Sequence, residues 1–300
     1  MYDSDSRGIS YTAGFFMLIA FAIAGLLVAS GISIPIWQQM TGLGFDQMAQ
    51  NTSNPAHADA LKIIQTITAV MGFLLPAIIS AIVLSRRPSK LMGFSGKINV
   101  NQLGLVVLIM AASMVVSTSL SYFNYHLPLP ELWNIRFKKM EEDYNQQVEA
   151  IVRLRNVKDY IIALIIMGFL PGLCEEALFR GGLQNYLSRA TNKPWLAIVI
   201  VSILFSLAHF SFFGFLYRFF LGVVLGAIYQ YSGRLWLSVF AHFLNNALAL
   251  TVLFIYTQQG KSLREALKSD PTTFWGILAL PVVIGLFFLF KRASAKRRLI

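Results

Sequence analysis

Residues 13–36 read AGFFMLIAFAIAGLLVASGISIPI and contain no charged side chain. About 20 apolar residues in succession are enough for a helix to cross the hydrocarbon core of a bilayer. Seven more apolar stretches follow, so the sequence predicts an all-α, polytopic membrane bundle of about eight transmembrane helices. The predicted spans are 13–36, 63–85, 102–123, 159–181, 195–212, 214–231, 234–256 and 273–290.

The composition supports the same fold class. Of the 300 residues, 56% are hydrophobic and only 13% are charged, whereas a soluble domain carries about 25% charged residues. Too little polar surface remains to cover a water-soluble particle of this size. We therefore expect residues 1–300 to form a single membrane domain, with its polar motifs concentrated at about 159–256.

The net charge of +11 has a distribution that argues against a nucleic-acid partner. Many of the cations flank apolar spans, where they follow the positive-inside bias and attract anionic lipid headgroups. We expect membrane lipids as partners, no nucleic acid, and a bacterial plasma membrane location with both termini in the cytoplasm. The cations on which this orientation depends are Arg86, Arg87, Lys90, Lys97, Lys291, Arg292, Lys296, Arg297 and Arg298.

Segment 125–158 is the one long polar stretch of the chain. Its apolar residues recur with a loose helical period, and both signs of charge are mixed between them. This pattern predicts an amphipathic helix at the membrane surface or an extension of the fourth span. A solvated connection and a role in handling substrate both remain open.

The fourth span contains PGLCEEALFRGG at 171–182. An ionisable residue inside a span costs about 2.5–3.5 kcal/mol on insertion scales, so its presence favours a function. Glu176 and Arg180 share a helix face and are expected to form an ion pair. Glu175 has no cation nearby on its own helix, which suits a general base in a dry pocket. The alternative is a buried salt bridge that only clamps helices. We also expect Pro171 and Gly172 to break the backbone and admit water.

Two further groups lie in later spans. FSLAH at 205–209 contains His209, and HFLNN at 242–246 places His242 and Asn246 on one face. Each group alone fits a packing histidine or a hydrogen bond between helices. Together with Glu175, however, they form a set on three helices that could activate water and stabilise an oxyanion.

These residues resemble a known family. EEALFR matches the Glu-Glu-x-x-x-Arg motif of the CAAX protease and bacteriocin-processing family of intramembrane proteases, FSLAH matches its Phe-x-x-x-His motif, and HFLNN matches its His-x-x-x-Asn motif. The motifs follow the family's order, and the resemblance covers about residues 159–250.

The resemblance implies an intramembrane endopeptidase that acts on a peptide or protein, including lipid-modified ones, and relatives are linked to bacteriocin immunity. It implies that Glu175 is the general base, that His209 holds the water, and that His242 and Asn246 stabilise the oxyanion. Glu176 would orient the site through Arg180. Members are often labelled metalloproteases, so zinc held by Glu175, His209 and His242 stands beside a metal-free water as an equal alternative.

Two other functions remain open from the sequence. Glu and His inside a membrane also relay protons, so a proton-coupled transporter is one. A non-catalytic immunity or scaffold protein is the other. For the endopeptidase we expect a cavity that faces the cytoplasm. His209 must then reach the depth of Glu175, although it lies about 22 Å along its helix from Pro194.

Overall fold

The computed structural model describes residues 5–267 and 273–295, and within these the chain forms helices and one isolated antiparallel bridge, Ser6 to Ser85. Lys296, Arg297 and Arg298 lie outside the described residues. The helices are α1 (Tyr11–Thr41), α2 (Phe45–Asn51), α3 (Pro55–Leu84), α4 (Pro88–Met92), α5 (Val100–Tyr125), α6 (Glu131–Ile151), α7 (Val157–Thr191), α8 (Pro194–Leu207), α9 (Phe215–Ser232), α10 (Leu235–Gln258), α11 (Leu263–Leu267) and α12 (Trp275–Ala295).

The predicted polytopic helical bundle is confirmed, although the count of eight spans is not. Among the described residues, six helices are long and apolar enough to cross a membrane: α1, α3, α5, α7, α10 and α12. The fifth predicted span, 195–212, is cut short because α8 ends at Leu207 after 14 residues. At 1.5 Å per residue, α8 is about 21 Å long and does not cross about 30 Å of hydrocarbon.

The helices meet at two opposite ends of the bundle. At the basal end, α1 begins and α3 finishes. The amide of Leu235 there donates to the carbonyl of Gly93 at 2.8 Å. At the other end, which we call the cap end, α5 finishes and α7 begins. A hydrogen bond of 2.7 Å from Arg153 to the carbonyl of Pro55 joins the chain after α6 to the start of α3 there.

The predicted helix in segment 125–158 is present as α6, and it lies at the cap end. Cations interspersed with acids, such as Arg136, Lys138 and Glu141, lie at the end opposite Arg86, Arg87 and Lys90. The orientation in the membrane therefore stays a prediction.

Helix α7 is continuous, so the expected break at Pro171 and Gly172 is wrong. Two π-helical runs flank the paired glutamates instead, Leu164–Phe169 and Ala177–Gln184. Proline has no N–H to donate, and its ring crowds the carbonyl four residues earlier. A wider π-helical turn just before Pro171 relieves this crowding, and such turns are frequent at functional sites.

Candidate active site

Glu176 is fully buried and has three polar partners. Its Oε1 accepts from Nη1 of Arg180 at 3.0 Å and lies 2.9 Å from Nδ1 of His242, while its Oε2 accepts from Oγ of Ser238 at 2.6 Å. The ion pair predicted from the four-residue spacing of Glu176 and Arg180 is therefore present. A buried carboxylate is tolerated when its oxygens are bonded in this way.

Arg180 is buried with Glu176 and fixes the position of α7. Its Nη2 donates to the carbonyl of Gly222 on α9 at 3.2 Å. Its guanidinium lies 4.6 Å from the ring centroid of Phe205 on α8. Arg180 thus links three helices, and neither it nor Glu176 is part of the cavity wall described below.

The contacts of His242 determine which ring nitrogen is available for chemistry. An ionised carboxylate only accepts hydrogen bonds, so Nδ1 of His242 donates to Glu176. In the neutral ring Nε2 then has a lone pair, and it faces Oε2 of Glu175 at 4.0 Å. Glu176 therefore orients His242, a contact that sequence spacing did not reveal.

Glu175 differs from its neighbour in its hydrogen bonds. Its side chain is 17% exposed, and its buried Oε2 has no hydrogen-bond partner. Helix α10 passes close to α7 at Gly172, where even a Cβ would be in van der Waals contact with the amide nitrogen of Phe243 at 3.4 Å and with Cβ of His242 at 3.7 Å. Glu175 is thus a carboxylate with unused hydrogen-bonding capacity, close to a histidine held by other groups.

A cavity of about 650 Å³ brings four of the predicted site residues together. Glu175, His209, His242 and Asn246 all line it. His209 reaches this depth because α8 is short and the residue lies in the turn that follows it. Nδ1 of His209 donates to the carbonyl of Phe205 at 2.8 Å, which leaves Nε2 unprotonated in the neutral ring.

Asn246 is positioned by the backbone irregularity of α7. Pro171 cannot donate to the carbonyl of Met167, four residues before it. Nδ2 of Asn246 lies 3.4 Å from that oxygen, in a long hydrogen bond, and Oδ1 of Asn246 accepts from Asn245 at 3.2 Å. The long contact leaves the amide able to turn toward a stronger acceptor in the cavity.

Sequence reasoning missed several residues of the site. Ser238 holds Glu176, but a serine in an apolar span is not conspicuous in a sequence. Arg218 lines the cavity and is 5% exposed. As a cation inside the sixth predicted span, it could have been found by the rule that identified Glu175. The part of α6 between Glu141 and Ile151 covers the cavity, and neither spacing nor composition indicated that position.

The three predicted zinc ligands, Glu175, His209 and His242, line the same cavity. Both histidines have Nδ1 held by an acceptor, which is the usual arrangement behind a metal-bound imidazole. Within residues 5–267 and 273–295, however, no three His, Cys, Asp or Glu side chains are grouped so that they could hold a metal ion. The zinc alternative with Glu175, His209 and His242 therefore stays a prediction beside the metal-free one.

The cavity lies toward the cap end, where α6 covers it, whereas α1 begins and α12 ends at the basal end. Cytoplasmic termini and a cavity that faces the cytoplasm were both expected. Because the two features lie at opposite ends of the bundle, they are alternatives, and the orientation in the membrane stays a prediction.

Comparison with known proteins bears on the same segment. Residues 157–248, about a third of the chain, match the family model described as Type II CAAX prenyl endopeptidase Rce1-like. No curated protein and no solved structure matches the chain. The matched segment contains Glu175, Glu176, Arg180, His209, His242 and Asn246. The resemblance to the CAAX protease family, first seen in three short motifs, is thus confirmed over the segment that carries the site.

Proposed function

We propose that this integral membrane protein is an intramembrane endopeptidase that hydrolyses a peptide bond with a water activated by Glu175. The observation that carries the proposal is the contrast within the glutamate pair. Glu176 is occupied by Arg180, Ser238 and His242, whereas Glu175 faces the cavity with an unpartnered oxygen. A general base needs an available carboxylate held near the place of the nucleophile.

In the proposed reaction Glu175 takes a proton from water, and the resulting hydroxide adds to the carbonyl carbon of the substrate. Asn246 donates to the oxyanion, and so does His242 when it starts the reaction as the imidazolium, with a second proton, taken from solvent, on Nε2. The C–N bond then breaks, and the protonated Glu175 returns its proton to the leaving nitrogen. His209 accepts a hydrogen bond from the water before attack. A base of this kind contributes about 10²–10⁴ in rate.

Of the two alternatives for the water, metal-free and zinc-bound, we propose the metal-free one; in its support, the described residues contain no group of three His, Cys, Asp or Glu side chains placed to hold a metal ion. We expect activity to survive dialysis against a chelator. Loss of activity on dialysis, restored by added zinc, would show that the ligands rearrange around a metal.

The substrate is proposed to be a peptide or protein with a lipid-modified cysteine, after the prenyl endopeptidase family that matches residues 157–248. Bacteriocin immunity is a second proposed role, which rests on the family resemblance. We place the protein in a bacterial plasma membrane with both termini in the cytoplasm. The cavity then opens on the other side of the membrane.

The test is to purify the unmodified protein and Glu175→Ala, and to incubate both with a peptide library that includes prenylated and unmodified members. The proposal expects cleavage by the first alone. Equal cleavage by both proteins would refute it. Transport of a solute by the protein in liposomes, dependent on Glu175 and without hydrolysis, would favour a transporter instead.

A further inference from the structure

Arg218 is a buried cation that the proposed chemistry does not use. It lies on α9, is 5% exposed, and belongs to the wall of the cavity that contains Glu175. A buried guanidinium normally has a carboxylate partner, because taking a charge out of water is costly. Among the described residues no carboxylate lies within 4.0 Å of Arg218, and its Nη1 has no hydrogen-bond partner.

Two aromatic rings hold the side chain in place. The guanidinium carbon lies 4.8 Å from the ring centroid of Tyr217 and 5.0 Å from that of Tyr144 on α6. Gly214 leaves room for it, since a Cβ at that position would collide with the guanidinium. The guanidinium also hydrogen-bonds to the side chains of Tyr144 and Tyr217. Contacts with the ring faces stabilise the cation, and the N–H groups of Nη1, which have no partner, stay available for an anion.

The nearby acids only partly offset the charge. Glu141 and Glu175 act on Arg218 electrostatically from beyond 4.0 Å. Glu141 accepts from Oγ of Ser211 at 2.6 Å, and Glu175 is the proposed base. Neither is therefore a dedicated partner for the guanidinium, and the cavity wall retains a cation that suits an anion from outside.

We infer that Arg218 binds a carboxylate of the peptide substrate and so sets where along the peptide Glu175 acts. The inference rests on the proposed function. Arginine is suited to this task because its planar fork meets both oxygens of a carboxylate. The carboxylate is either the C-terminal one or an Asp or Glu side chain, and the two sources can be separated by experiment.

The experiment measures binding without turnover, in full-length Glu175→Gln protein. The probes are fluorescein-labelled pools of apolar hexapeptides with a free C-terminal acid, with a C-terminal amide, or with an amide and one internal Glu. We expect the acid pool to bind about tenfold to a hundredfold more tightly than the amide pool. Recovery of tight binding by the internal Glu would identify a side-chain carboxylate as sufficient.

The Arg218→Gln change is added in the same background, with Arg136→Gln as its matched control. Arg136 is an exposed cation on α6 that does not line the cavity. We expect Arg218→Gln to abolish the preference for acid over amide, and Arg136→Gln to leave it unchanged. Arg218→Lys, which keeps the charge without the fork, should retain part of the preference and allows the test if Arg218→Gln fails to fold.

Equal binding of the acid and amide pools, or no binding of the acid pool, would overturn the inference. The inference would also be overturned if Arg218→Gln weakened binding of the acid and amide pools equally. Arg218 would then only hold α6 in place and would not recognise a carboxylate. Since binding is read in protein without Glu175, a preference for acids is measured whether or not Glu175 proves to be the base.

Discussion

At the scale of single residues, Glu175 and Glu176 are neighbours with different tasks. Glu176 accepts hydrogen bonds from Ser238 and His242 on α10 and from Arg180 on its own helix. Oε2 of Glu175 has no hydrogen-bond partner. Adjacent side chains on a helix point about 100° apart, so one faces the packed interior and the other the cavity. This difference predicts that their amide variants fail in different ways.

We expect Glu175→Gln to lower the cleavage rate by about 10²–10⁴ and to leave thermal stability nearly unchanged. Glu176→Gln removes the charge that pairs with a buried guanidinium, so it should destabilise the fold by about 3–5 kcal/mol. The rate of peptide cleavage measures the first effect, and thermal unfolding in detergent measures the second. A stable, inactive Glu176→Gln protein would reverse the assignment.

Ser238 provides a second test of the same network. Ser238→Ala leaves Oε2 of Glu176 buried without its 2.6 Å partner, which should cost about 1.5–3 kcal/mol, as for hydrogen bonds to charged groups. Ser202→Ala is the control, because the buried Ser202 hydroxyl bonds only to a carbonyl of its own helix, that of Ile198. Similar unfolding temperatures for the two variants would argue against a Ser238-dependent carboxylate.

The site residues were predictable to the extent that polarity marks them. Glu175, His209 and His242 stand out because an ionisable side chain among apolar residues is not needed to cross a membrane. Ser238 was not predictable, since its value comes from a contact between α7 and α10. The role of Asn246 was predicted from the family motif, whereas its contact with the carbonyl of Met167 depends on a tertiary approach that Pro171 makes possible.

At the scale of helices, α6 is the element whose position the sequence did not reveal. Its amphipathic pattern predicted a helix but fitted a solvated connection equally well. The structure packs Phe137 of α6 against Phe212 with ring centroids 4.0 Å apart and planes at 3°. With the Glu141–Ser211 hydrogen bond, this contact holds α6 over the cavity.

Phe137→Ala should therefore loosen α6 without unfolding the bundle. An aromatic pair contributes about 0.5–1.5 kcal/mol beyond burial, so we expect amide hydrogen exchange within 131–151 to rise about two- to tenfold. Exchange measured by mass spectrometry in nanodiscs tests this, with Ile135→Ala as the control because Ile135 is 60% exposed. Faster exchange throughout α7 and α10 as well would mean that α6 supports the whole fold.

At the scale of the whole molecule, the sequence was sufficient for the fold class because apolar run length depends on local composition alone. It was insufficient for the number of spans, since α8 stops at a turn that composition does not mark. The sequence also could not show that the cavity lies away from the basal end, because this depends on how the helices pack. Since the two ends of the bundle face opposite sides of the membrane, labelling one residue at each end tests the orientation.

If the termini are cytoplasmic, Lys138 on α6 lies outside the cell and Lys97 lies inside. The chain has one native cysteine, the buried Cys174, so single-cysteine reporters need little background correction. We expect Lys138→Cys to react with an impermeant maleimide in intact cells, and Lys97→Cys to react only after lysis. The opposite labelling pattern would place the cavity on the cytoplasmic side and both termini outside.

The π-helical run Ala177–Gln184 has a consequence for how this site can vary between related chains. A π-helical turn accommodates additional residues within a helix, so it shifts the angular phase of everything that follows. Here it separates Glu176 from Asn185, whose amide bonds to the carbonyl of Leu91 at the basal end at 2.6 Å. Removing one residue from the run would rotate one end of α7 relative to the other. Either the glutamates would then face the cavity or Asn185 would reach Leu91, but not both, so the number of residues between them cannot change freely.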